Sequence, residues 1–196
     1  MGEFATRIAI SLDAGANATI GDATDDPVAE GQICNQEIPG AWQGYGAQIN
    51  RAFLVGTQRT AGYGYYAAAR DLAARLQADV AAFVKPGRTA YADLGAYFLK
   101  RRDDLGADGG GTIVHSAAIG HVSRPRLGAT GANEDLTIVI APGHSVDFTL
   151  AITLRRTTCA DVRESNRTVH LGEHDVVTAA GAERAGTRKL GPIVTG

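Results

Sequence analysis

The periodic stretch at residues 63–84, which lies between two strand-like regions, most constrains the fold of this chain. Its apolar residues recur at steps of three and four, as the buried stripe of a helix requires: Ala69, Leu72, Leu76, Val80 and Phe83. Pro86 and Gly87 follow and predict the end of this helix. A second helix is predicted to begin with Thr89 as its N-cap and to end in the charged segment 100–104.

Five short segments with strand character lie before or after the two helices: residues 7–12, 31–38, 47–56, 137–140 and 147–150. Pro39 and Gly40 are expected to end the second of them. The order of sheet, helical pair and sheet predicts an α+β fold, in which helices back one face of a curved antiparallel sheet. On the third predicted strand, Gln48 and Asn50 are two residues apart and therefore share one face, where they could line a pocket or face water.

The composition is typical of a globular domain and excludes several classes of partner. With 196 residues, a net charge of −2 and 44% hydrophobic residues, the chain is expected to form one domain at 5–196, with residues 1–4 as a cloning remnant. The sequence has no basic patch that would indicate nucleic-acid binding. No apolar run approaches the ~20 residues of a membrane span. Cys34 and Cys159 have no neighbouring metal ligands, so reduced thiols in a cytoplasmic protein are expected.

All five histidines lie between residues 110 and 191: His115, His121, His144, His170 and His174. Histidine titrates closest to neutral pH, so this region concentrates the side chains suited to acid–base chemistry. Any one of them is more often structural, but histidines at strand ends could converge on one cleft. Arg124 and Arg126 lie among them and could hold a substrate carboxylate as a fork.

Seven short motifs follow one another along the chain, at residues 30–33, 44–53, 84–89, 114–121, 140–150, 172–183 and 190–192. In this order they resemble the catalytic domain of the creatinase-type branch of the pita-bread family, which includes aminopeptidase P and methionine aminopeptidase. The resemblance implies the pita-bread form of the predicted fold. The first residues match the middle of that catalytic domain, so we expect either a fragment or a shortened protein that completes its core as a homodimer.

The positions that match the family's metal ligands are altered. Metallopeptidases of this family hold two metal ions with two Asp, one His and two Glu, and the matching residues here are Glu37, Gln48, His115, Ala151 and Glu173. Gln48 is neutral and Ala151 has no ligand atom, so the charge that two hard dications require is missing. Neither a metal nor another cofactor is therefore predicted. Creatinase is itself a metal-free member of the family.

The resemblance then implies catalysis by side chains. His115 and His121 are the expected proton-transfer groups, with Glu173 setting the tautomer or charge of His121. The acidic loop at 21–27 could bind a cation but is more often a turn, and its Asp22 matches the position of creatinase's key histidine. The substrate-binding residues are expected to be Arg126, Arg124, Glu37, Gln48, Asn50 and Asp22.

The predicted function is that of a metal-independent creatinase-like enzyme acting on a C–N bond of a small amidino, amide or cyclic amidine compound. A hydrolase is expected, but because a fold does not fix a reaction, a lyase, a dehydratase or a cyclase in a biosynthetic pathway is an alternative. The alternative is a pita-bread pseudoenzyme that serves as a binding module. A metallo-aminopeptidase is the third hypothesis, and Gln48 and Ala151 argue against it.

Overall fold

The computed structural model describes residues 9–11, 27–42, 45–110, 112–116, 123–128, 133–155, 167–187 and 191–195. Within these ranges the chain forms nine strands and two helices. The strands are β1 (Ala9–Ser11), β2 (Ile33–Trp42), β3 (Tyr45–Leu54), β4 (Ala107–Gly110), β5 (Thr112–Ser116), β6 (Ser123–Gly128), β7 (Ser145–Leu154), β8 (Val169–Val177) and β9 (Ala182–Arg184). The helices are α1 (Tyr63–Phe83) and α2 (Tyr91–Asp104).

The strands form one antiparallel sheet in the order β1-β2-β3-β8-β7-β5-β6, with β4 also paired to β7 and β9 to β8. The hairpin β2–β3 joins the rest of the sheet where Asn50 lies opposite Gly172. A Cβ atom at Gly172 would lie 2.3 Å from Asn50 Oδ1, so the close approach of β3 and β8 requires glycine there. This junction positions the hairpin beside β7 and β8.

The core lies between the helices and one face of the sheet. On β7, Val146, Phe148, Leu150 and Ile152 are all buried in the same apolar cluster as the stripe of α1. Burial of each such side chain stabilises the fold by roughly 1.5–3 kcal/mol. Because side chains alternate along a strand, the residues between them point to the other face of the sheet. The helix predicted at 63–84 is confirmed as α1.

The predicted start of the second helix was wrong by one residue. Ala90 is the N-cap of α2, and its backbone N–H donates to the Asp93 carboxylate at 3.3 Å. The Thr89 hydroxyl instead accepts a hydrogen bond from the backbone N–H of Lys85 at 2.8 Å. Thr89 therefore closes the loop between the helices, and the acidic side chain of Asp93 stabilises the first turn of α2.

Two predicted strand boundaries also differ from the structure. Pro39 does not end β2, which continues to Trp42. Pro39 lies within the continuous pairing of β2 with β3, where it is opposite Gln48. Residues 137–140 form no strand, because they pair with the start of α2 through an isolated bridge between Ala90 and Val139.

Three residues singled out from the sequence, Asp22, His121 and Cys159, lie outside the described residues. Cys34 is buried. Neither α1 nor α2 is long and apolar enough to cross a membrane.

Candidate active site

A polar face of the sheet lies opposite the helices and is centred on β7. Ser145, Asp147 and Thr149 alternate with the buried apolar residues of that strand. Asp147 lies opposite His174 on β8 and opposite His115 on β5. Residues directly opposite each other in an antiparallel pair share a face. The register therefore brings two of the five histidines to one carboxylate.

The carboxylate of Asp147 lies between two imidazole rings. Its Oδ1 atom is 2.6 Å from His174 Nδ1 and accepts a 3.3 Å hydrogen bond from the backbone N–H of Gln48. Its Oδ2 atom is 3.7 Å from His115 Nδ1, which is too long for a hydrogen bond and is an ion pair only when the ring is protonated. The Asp147 side chain is only 1% exposed. A polar group buried this far requires hydrogen-bond partners of this kind.

A serine hydroxyl completes this group. Ser145 Oγ is 2.7 Å from His174 Nε2, so the two ring nitrogens of His174 contact a carboxylate and a hydroxyl. The His174 side chain is 13% exposed and Ser145 is partly exposed. Access thus increases from the buried Asp147 carboxylate to the Ser145 hydroxyl.

Amide side chains extend the polar face onto the hairpin. Gln48 Nε2 donates to Asn50 Oδ1 at 3.0 Å and to Thr149 Oγ1 at 3.3 Å. Asn50 Nδ2 donates to Glu37 Oε2 at 3.2 Å. Gln48 and Asn50 are both buried, so the face that they share is not open to water. The structure thus brings together Glu37, Gln48, Asn50 and His115 from the predicted set.

Glu173 lies on the opposite face of the sheet from His115. It is opposite Phe148, and its fully buried carboxylate forms an ion pair with the Arg51 guanidinium. Arg51 also donates to the carbonyl oxygens of Asn50 and Gly172, at 2.7 Å each. The structure therefore places Glu173 in a structural ion pair under the helices and does not bring it together with His115.

The two arginines differ in position. Arg126 on β6 lies directly opposite His115. Arg124 is 70% exposed and forms an ion pair with Glu134 at 2.7 Å. Of the two, Arg126 is therefore the residue beside the histidines.

Two other histidines lie apart from this group. The ring of His170 is buried, its nitrogens have no hydrogen-bond partner among the residues that the structure describes, and burial lowers its pKa to about 4. His170 is therefore neutral at physiological pH. His144 belongs to the turn before β7, where its Nδ1 lies 3.4 Å from the backbone N–H of Ala141.

The donor set does not fit a pair of metal ions. Among the five positions matched to the family's ligands, Ala151 lies opposite the buried His170, and Glu173 faces the helices. Besides the carboxylates of Glu37 and Asp147, the residues that adjoin Gln48 and Asn50 on the polar face are Thr149 and Gly172, which carry no carboxylate. In the described residues, no three His, Cys, Asp or Glu side chains are grouped so as to hold a metal ion. Hard dications require more anionic oxygen ligands than this face supplies.

Sequence reasoning missed Ser145 and Asp147 and assigned no role to His174. The available signal was the alternation of polar residues at 145, 147 and 149 in an otherwise apolar strand. That alternation shows which side chains share a face of β7. It does not reveal that His174 is opposite Asp147, because this depends on the pairing of two strands distant in sequence.

The fold matches solved structures of peptidases. A prolidase from Pyrococcus horikoshii OT3 superposes with a TM-score of 0.72 at 18% identity, over 94% of this chain and 48% of that one. The dipeptidase PepE from Mycobacterium ulcerans gives 0.69 at 20% identity, over 98% and 47%. A methionine aminopeptidase from Thermotoga maritima gives 0.66 at 16% identity, over 90% and 72%. The chain thus spans about half the length of the first two.

The chain has the α+β pita-bread fold, as the sequence motifs predicted. Identities of this size establish the fold alone. The sequence matches no protein-family model, and no curated protein is significantly similar to it.

Proposed function

We propose that this chain is a metal-independent enzyme that breaks a C–N bond in a small amide, amidino or cyclic amidine compound. The main support is the Asp147 carboxylate held between His115 and His174 on one polar face. A histidine oriented by a carboxylate can accept a proton near neutral pH and return it to a leaving nitrogen. An enzyme that has no metal-activated water needs such a pair.

The surrounding side chains support a small polar substrate. Gln48, Asn50 and Thr149 offer amide and hydroxyl groups beside the histidines. The partly exposed carboxylate of Glu37 can pair with an amidinium group, and Arg126 can hold a carboxylate. Proteins named as a dipeptidase and an aminopeptidase share this fold, which is consistent with a reaction at an amide C–N bond.

The test is the release of ammonia or amine from a panel of small amides and amidines, by protein dialysed against EDTA and analysed for metals. His115→Ala or His174→Ala should lower turnover by about 10²–10⁴-fold, the usual contribution of a positioned acid–base group. His144→Ala is the matched control and should retain wild-type turnover, because this ring lies in a turn outside the site.

Turnover that is lost with EDTA and restored by Mn²⁺ or Zn²⁺ would contradict metal independence and favour a metallopeptidase. No turnover of any compound, together with unchanged ligand binding in the histidine variants, would favour a binding module instead.

We also propose that the protein acts as a homodimer. The hairpin β2–β3 carries the partly exposed pair Ile38 and Ile49 and the 65% exposed Tyr45. Apolar surface of this kind is typical of contact sites. Light scattering after gel filtration should give twice the mass of one chain for the wild-type protein. The Ile49→Lys variant should give the mass of a single chain. A monomeric wild-type protein would contradict this proposal.

A further inference from the structure

We propose that Ser145 is a nucleophile that forms a covalent acyl ester with the substrate, with His174 as its general base. This inference rests on the proposed function in one respect, since it narrows the substrate of that site to carboxylic amides and esters. None of the motifs that resemble the pita-bread family depends on Ser145. The proposal therefore follows from the geometry of β7 and β8.

The contacts of His174 determine its tautomer. An ionised carboxylate can only accept hydrogen bonds, so the 2.6 Å contact with Asp147 Oδ1 requires a proton on His174 Nδ1. Nε2 is then unprotonated in the neutral ring and accepts a 2.7 Å hydrogen bond from the Ser145 hydroxyl. Ser–His–Asp hydrolases use the same pairing of atoms to activate serine.

The sheet holds this arrangement in place. Asp147 and His174 lie directly opposite each other in the ladder between β7 and β8. Ser145 is two residues before Asp147 on β7, so its side chain shares the same face. The backbone N–H of Gln48 on β3 also donates to the Asp147 carboxylate, so a third strand helps to hold it. Groups fixed on paired strands are better oriented for reaction than groups on loops.

The proposed reaction balances with water as the second substrate. Ser145 Oγ attacks the carbonyl carbon and forms a C–O bond, while its proton passes to His174 Nε2. The C–N bond then breaks, and the leaving nitrogen takes that proton from Nε2 and departs as an amine or ammonia. Water attacks the resulting ester, its proton passes to Nε2 and then to Ser145 Oγ, and a carboxylic acid is released.

A fluorophosphonate probe tests this directly, because a serine activated in this way displaces fluoride from phosphorus and stays labelled. In the wild-type protein, peptide mass spectrometry should locate one label per chain on Ser145. Ser145→Ala should abolish labelling, and Asp147→Asn should slow it by at least about 10²-fold, because the tautomer of His174 is then no longer fixed. Ser116→Ala on the neighbouring strand is the matched serine control and should label at the wild-type rate.

Circular dichroism melts should show that Ser145→Ala remains folded, so that its lack of labelling reports on the nucleophile. A wild-type protein that is not labelled, or a Ser145→Ala variant labelled as fast as wild type, would overturn the proposal. The probe does not depend on the natural substrate. Labelling of Ser145 without amide turnover would contradict the proposed function alone, whereas amide turnover retained in Ser145→Ala would contradict the nucleophile alone.

Discussion

The two faces of the β7–β8 pair each carry a buried carboxylate, and the two carboxylates have partners of different kinds. On the polar face, Asp147 contacts the partly accessible ring of His174, and histidine is the side chain most often used for proton transfer in catalysis. On the helix face, Glu173 contacts Arg51, whose guanidinium stays charged at any ordinary pH. The partner therefore distinguishes a carboxylate placed for proton transfer from one placed for structure.

The largest expected effect is the loss of stability when the charge of Glu173 is removed. Glu173→Gln removes the charge that pairs with the Arg51 guanidinium, and the free energy of unfolding should fall by about 3–5 kcal/mol. Asp147→Asn should cost less than about 2 kcal/mol, because His174 can be neutral. Denaturant unfolding of both variants measures the difference. Equal losses in the two variants would show that the two carboxylates do not differ in this way.

The second prediction uses two buried groups of β8 whose pKa values shift in opposite directions. Burial and the charge of Glu173 raise the pKa of Asp175 to about 6, so its contribution to stability is present at low pH and lost as the pH rises through 6. Burial lowers the pKa of His170 to about 4, so its contribution is present above pH 6.5 and lost as the pH falls towards 4.

Between pH 4 and 6 the contributions of Asp175 and His170 to stability change in opposite directions. The Asp175→Asn variant should therefore show the pH dependence caused by His170 alone. Between pH 6.5 and 4 this variant should lose about 2–3 kcal/mol more stability than the wild type does, given 1.36 kcal/mol per pKa unit. Urea unfolding across this pH range checks it. Parallel pH profiles for variant and wild type would contradict a raised pKa of Asp175.

The smallest expected effect concerns the arginines of β6. Arg124→Ala removes an exposed ion pair with Glu134 and should change the free energy of unfolding by less than about 1 kcal/mol, with unchanged turnover. Arg126→Ala should raise the KM for a carboxylate-bearing substrate, because Arg126 lies opposite His115. Steady-state kinetics of both variants sharpens the distinction. A larger KM effect from Arg124→Ala would reverse the assignment.

The sequence predicted those parts of the fold that local patterns encode. The helix at 63–84 and the shared face of Gln48 and Asn50 follow from periods of 3.6 and 2. The predictions failed where pairing with a segment distant in sequence determines the local structure. β2 continues through Pro39 because it pairs with β3 over its whole length, and residues 137–140 pair with the start of α2 instead of joining the sheet.

Pairing between distant strands also explains which residues of the site could be predicted. His115 and Arg126 were predicted on residue type, and the structure places them opposite each other. Glu173 was predicted beside the histidines, but a shift of one residue along a strand moves a side chain to the other face. Its neighbour His174 faces Asp147 instead. Only the register between β7 and β8 could distinguish these two adjacent residues.

The contact between Gly172 and Asn50 has an evolutionary consequence. A side chain at position 172 would place its Cβ 2.3 Å from Asn50 Oδ1 and 2.9 Å from Asn50 Cβ. A carboxylate could therefore not be introduced at this point of the polar face by one substitution, because the hairpin would be forced away from β8. Position 50 would have to change first, and Asn50 also binds Gln48 and Glu37. Any path of substitutions that adds an acidic side chain at position 172 must therefore pass through a change at position 50.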